Sequence, residues 1–143
     1  MQPREFHHTA AQLATHGTRP ADFRSAISRA YYATYHTAFE LLEAMGFTPT
    51  QGGDAHRDVR DHLSNSGVDE LAQLAGAIAS LHGRRISADY RLGDLSVEKR
   101  TVAQAAVERA DKIMYNLVKH CNGPERSQIT CAISKWRTSC GRK

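Results

Sequence analysis

Apolar and small residues recur along the chain at helical spacing. Between residues 20 and 46, Phe23, Ile27, Ala30, Thr34, Ala38, Leu41 and Met45 follow one another at steps of three or four, the period of a helix with one buried stripe. Pro20 suits its first turn, where a missing N–H costs nothing, and Asp22 suits the positive end of the helix dipole. Gly46 stops it, and residues 47–53 read as a loop.

Four further segments read as helices. Residues 4–15 form a first helix closed by Gly17. Asp54 caps a third that runs to about Leu63, with His56, Val59 and Leu63 on one side. The fourth carries Val68, Leu71, Leu74, Ala75, Ile78 and Leu81 and continues through Arg85 to Tyr90. Ser96 is the expected N-cap of the fifth, whose stripe is Val102, Ala106, Ala110, Ile113, Leu117 and Cys121. Asn122-Gly-Pro124 ends it in the order expected past a helix C-terminus. No segment alternates as a strand does. The expected fold is all-α, a four- to five-helix up-and-down bundle over residues 1–121, followed by a basic C-terminal tail over 122–143.

Charge separates those two parts. The chain has 143 residues and a net charge of +4. Arg126, Lys135, Arg137, Arg142 and Lys143 face only Glu125 after residue 121, so the excess lies in the tail and the body is neutral. Such a tail adds salt-sensitive attraction to RNA, or serves solubility alone. The first twenty residues lack a signal-type apolar run, and no stretch is long enough to cross a bilayer, so a cytoplasmic protein without a membrane partner is expected. Cys121, Cys131 and Cys140 are too widely spaced for a zinc knuckle and are expected to be free thiols.

Candidate chemistry concentrates on the second helix. Arg29 and His36 are seven residues apart, nearly two turns, and share a face with Ser25, Ala33 and Glu40, opposite the apolar stripe. Arginine holds phosphate through two N–H groups, and histidine exchanges protons near neutral pH. The pair suits metal-free phosphodiester chemistry, in a groove or at a subunit interface; the same pattern also fits a solvated helix face. Arg57 and His62 are five residues apart and diverge around their helix. His56 lies on an apolar side and reads as a hydrogen-bonded packing residue. Arg85 and Asp89 form an i,i+4 pair inside the apolar stripe of the fourth helix, which predicts a buried ion pair with a tyrosine hydroxyl as further partner. Such a pair could also orient Arg29 or His36. Tyr31 and Tyr32 serve as packing residues, or Tyr32 as a base-stacking platform beside Arg29.

Ser28-Arg-Ala-Tyr-Tyr-Ala-Thr-Tyr-His-Thr-Ala38 resembles the helical signature of small prokaryotic HEPN-domain proteins, and Arg85-Ile-Ser-Ala-Asp-Tyr90 resembles the second signature of the same group. His56 sits between them where that group often carries a histidine. The resemblance covers roughly residues 20–121. It implies a HEPN helical bundle, usually a homodimer, that cleaves RNA in toxin–antitoxin or defence systems, often beside a small nucleotidyltransferase antitoxin. It implies no metal or cofactor. Arg29 would stabilise the transition state and His36 would act as general acid/base, with Ser25, Tyr32, His56, Arg85, Asp89 and Tyr90 supporting them or binding ligand. Other members of the family imply an alternative, a non-catalytic module that binds a nucleotide or a partner nucleotidyltransferase.

Overall fold

A computed structural model describes residues 1–142. Six α-helices account for most of them: α1 (Pro3–His16), α2 (Pro20–Ala44), α3 (Ala55–Ser64), α4 (Asp69–Tyr90), α5 (Arg100–Cys121) and α6 (Arg126–Ser139). One short 3₁₀ turn, Leu95–Glu98, precedes α5, and there is no strand among the described residues. The all-α expectation holds; the helix count is six rather than four or five.

α2 is the central helix. It meets α1, α3, α4, α5 and the 3₁₀ turn. Its expected stripe is buried except for the half-buried Leu41, but so are Ala26, Tyr31 and Ala33 on other faces. Small side chains on both helices let α1 lie close, and Ala10 and Ala14 of α1 are themselves buried. The face bearing Arg29 and His36 is therefore roofed by α1 at its middle. The wheel of α2 alone could not show this, because it does not contain the position of α1.

The turn between α1 and α2 needs glycine at position 17. A Cβ there would stand 2.4 Å from the Leu13 carbonyl oxygen and 2.5 Å from Asp22 Cβ. Asp22 accepts hydrogen bonds from the Thr18 and Arg19 backbone N–H groups, both at 3.0 Å. The carboxylate thereby satisfies donors at the start of α2. At the other end Gly46 adopts φ +95°, a left-handed conformation that closes the helix.

Buried or half-buried arginines tie helix C-termini to distant segments. Arg24, on α2, donates to the carbonyls of Ser87, Ala88, Arg91, Leu92 and Asp94 at 2.9–3.2 Å and pairs with Glu98. Arg100 donates to the carbonyls of Ala14, Thr15 and Gly17, and Arg126 to that of Ala44. Each places positive charge where a helix dipole is negative and unpaired carbonyls collect.

Two expectations need correction. Ser96 does not cap α5. It lies in the 3₁₀ turn, where its N–H and hydroxyl both bond Asp94 Oδ1, and α5 begins four residues later at Arg100. The stretch expected as a basic tail carries α6. Ile129 and Ile133 are fully buried, and Trp136 stacks edge-on against His62. Arg137 donates to His62 Nε2 at 2.8 Å, and Arg142 grips both oxygens of Asp58 at 2.6 and 2.9 Å. Those charges bind the body of the protein. Lys143 lies outside the described residues.

Candidate functional site

Arg29 and His36 meet the same two rings. The Arg29 guanidinium stands 5.2 Å from the Phe6 centroid and 5.4 Å from that of Tyr32. The His36 ring is nearly parallel to Phe6 at 5.3 Å and stacks on Tyr32 at 5.9 Å. Phe6 of α1 thus brings the two turns of α2 into one aromatic setting. Among the described residues neither Arg29 nor His36 has a hydrogen-bond or ion-pair partner. Burial lowers the His36 pKa; Glu40 opposes that effect and Arg29 adds to it. The imidazole is consequently neutral at pH 7, with a lone pair available. Ser25 is exposed one turn before Arg29.

The second expected cluster joins the first through Tyr32. The Arg85 guanidinium lies 5.1 Å from the Tyr32 centroid, so arginines from α2 and α4 both contact this ring. Arg85 Nε is 2.8 Å from Asp89 Oδ2, and Arg85 Nη2 donates to the Tyr90 hydroxyl at 3.5 Å. The Nε approach lacks hydrogen-bond alignment, which leaves that buried N–H without a partner despite the close ion pair. The pair is less buried than expected, with side chains 13% and 28% exposed. Asp89 also accepts from the Ser28 hydroxyl at 2.9 Å, which ties α4 to α2. Tyr90 is largely exposed at the rim.

His56 is hydrogen-bonded, as its apolar position suggests, and it also lines a cleft. Its Nδ1 is 2.6 Å from the Tyr31 hydroxyl. The cleft, about 340 Å³, is bounded by Tyr32, Tyr35, His36 and Phe39 of α2, by Gln51 and Gly52 of the loop before α3, and by His56 in the first turn of α3. Burial lowers the His56 pKa, and Arg85, Arg60 and His36 lower it further. His82 stacks on both His56 and Tyr31, at 4.9 and 4.8 Å, and its pKa falls to about 4, chiefly through burial. Burial raises the Tyr31 pKa, so its hydroxyl stays protonated.

Arg57 and His62 stay apart: Arg57 is exposed beside Asp61, and His62 is buried under α6. Phe6, Arg60 and His82 were not singled out from the sequence. His82 lies four residues past Ile78, at the flank of the α4 stripe, so a helical signal was present. Phe6 gave none beyond being the one large aromatic of α1. A larger groove of about 640 Å³ opens between α4 and α5, lined by Leu81, Arg84, Val102, Ala106 and Arg109. It contains no histidine and its cations are exposed, so it offers less for proton transfer.

Among the described residues, no group of three or more His, Cys, Asp or Glu is placed to hold a metal ion. None of the helices is long and apolar enough to cross a membrane. No family model, curated protein or solved structure matches the chain.

Proposed function

We propose that this chain is a HEPN-like, metal-independent ribonuclease, a toxin or defence effector acting on cytoplasmic RNA. The observation that carries the reading is the uncommitted Arg29 guanidinium beside an unbonded, neutral His36 on the same aromatic pair. His36 takes the proton of an RNA 2′-hydroxyl, and the 2′-oxygen attacks the adjacent phosphorus. The P–O5′ bond breaks and the 5′-oxygen takes up a second proton, leaving a 2′,3′-cyclic phosphate and a 5′-hydroxyl end. Arg29 offsets the charge that builds on the phosphoryl oxygens, where a fixed cation is worth most. Exposed Tyr90, Leu92 and Leu95 give a second copy of the chain an apolar surface for a homodimer. A small nucleotidyltransferase is the proposed neutralising partner.

A second reading rests on Tyr32, which has arginines against it from two helices and so favours stacking of a nucleobase without cleavage. Arg29→Ala separates the two. Under the ribonuclease reading it lowers the cleavage rate; under the binding reading it weakens nucleotide affinity while wild type cuts no RNA.

A further inference from the structure

His36 accounts for one proton transfer, yet phosphodiester cleavage needs two: one proton leaves the 2′-oxygen and another reaches the departing 5′-oxygen. Resting on the ribonuclease reading, we infer that His56 is the second catalytic residue of the same cleft, protonating the 5′-oxygen, with Tyr31 as its positioning residue. Both imidazoles line the cleft. The Tyr35 ring lies 5.2 Å from His36 and 4.6 Å from His56, so the separation of the two imidazoles cannot exceed the sum of those distances. The cleft they share, about 340 Å³, lies within the usual range of small-molecule sites, roughly 300–1,000 Å³.

The Tyr31 contact assigns the direction of transfer. When His56 is neutral, the buried Tyr31 hydroxyl donates to Nδ1, which puts the remaining proton on Nε2. When His56 is charged, Nδ1–H donates back to the Tyr31 oxygen and Nε2 again carries a proton. Nδ1 is occupied by Tyr31 in either state, so Nε2 serves the cleft as a donor. His36 has no partner that fixes a proton on either nitrogen and is free to accept one. The step balances from the charged form of His56: the 2′-hydroxyl proton goes to His36, the P–O2′ bond forms, the P–O5′ bond breaks, and the 5′-oxygen takes the Nε2 proton of the imidazolium, leaving a neutral His56 whose Nδ1–H donates to the Tyr31 oxygen.

The groups facing His56 make its charged form a strong acid. They are Tyr31, Tyr32, Tyr35 and His36 from α2, Arg60 from α3, and His82 and Arg85 from α4. Burial disfavours imidazolium and the neighbouring cations add to that effect, so kcat/KM falls as pH rises past a point below the ordinary histidine value.

The test compares wild type, His36→Ala, His56→Gln and Tyr31→Phe in EDTA on two substrates. One is an oligoribonucleotide; the other is uridine 3′-(4-nitrophenyl phosphate), whose leaving group departs without protonation. His56→Gln is expected to slow the oligoribonucleotide by about 100-fold or more, the usual size of a general-acid contribution. It should slow the nitrophenyl ester far less and lose the alkaline fall in kcat/KM. Rescue on the ester also shows that the variant is folded. His36→Ala slows both substrates. Tyr31→Phe removes the acceptor for Nδ1–H and moves the alkaline limb to lower pH, which a packing role would not do. If His56→Gln cuts the oligoribonucleotide at nearly the wild-type rate, or is slowed equally on both substrates, the inference is overturned while RNA cleavage stands. If wild type cleaves neither substrate, the ribonuclease reading falls and the role of His56 with it.

Discussion

Replacing Arg24 by methionine removes one charge of an ion pair whose side chains are 9% and 23% exposed. It also strips a donor from five carbonyls at the end of α4 and in the loop beyond it. Breaking a buried pair costs about 3–5 kcal/mol, most of it from the charge left behind. Glu98 retains some access to water and can rehydrate, so the low end, about 3 kcal/mol, is the better figure here. The carbonyl bonds are not added separately, because they share one guanidinium. A domain of this size loses about 2–4 °C of Tm per kcal/mol, which gives a fall of about 6–12 °C. Thermal unfolding followed by circular dichroism measures it. Adding Glu98→Gln to Arg24→Met should recover part of the loss, because no lone carboxylate then remains. A fall of less than about 2 °C for Arg24→Met, under 1 kcal/mol on the same scale, would refute the reasoning and reduce Arg24 to a surface cation.

Three further outcomes follow from the packing of α6 and the thiols. Burial holds the His62 pKa below its ordinary value, so the folded chain binds fewer protons there than the unfolded one. Its contribution is whole above the ordinary histidine pKa and fades as pH falls below it; urea midpoints should decline over that window, and His62→Gln should flatten the decline. Asp58 adds a lower window: Arg142 and Thr50 hold its pKa at about 2 against the opposing effect of burial, so its share fades as pH falls through the ordinary aspartate value and is gone below about 2. Ending the chain at residue 122 should lower Tm sharply, because two fully buried isoleucines leave the core, each worth about 2–5 kcal/mol by analogy with truncation to alanine. An unchanged Tm with a flatter salt dependence of RNA binding would instead indicate a bare basic tail. Native protein should react with a thiol reagent at Cys131 and Cys140 but not at Cys121, which is buried with its pKa raised to about 11. Labelling of all three in native buffer would contradict that burial.

The helices with a single clear stripe could be read from sequence alone. α2 and α4 follow their expected bounds because one face of each is apolar at every turn. α6 also has the helical period, with Ile129, Ile133 and Trp136 at steps of four and three, but an excess of basic residues makes the same stretch read as a tail. Arg137, and Arg142 just past the helix, find their partners in α3, His62 and Asp58, which no local pattern contains. Arg24 and Arg100 were hidden for the same reason: their carbonyl partners lie more than sixty residues away. Of the site, the alignment of Arg29 with His36 and the pairing of Arg85 with Asp89 follow from helix geometry. That Tyr32 links the two pairs, and that Phe6 and His82 join the cluster, depends on how α1 and α4 lie against α2.

Acid–base chemistry at His36 beside Arg29 is the step we propose. Its most direct measurement is the cleavage of an RNA oligonucleotide in EDTA by wild type and His36→Ala side by side, with the new ends identified by mass spectrometry. Wild type should leave 2′,3′-cyclic phosphate and 5′-hydroxyl ends, and the variant should cut at a rate lower by about 100-fold or more. Intact RNA with folded wild-type protein, or equal cutting by the two proteins, would contradict it.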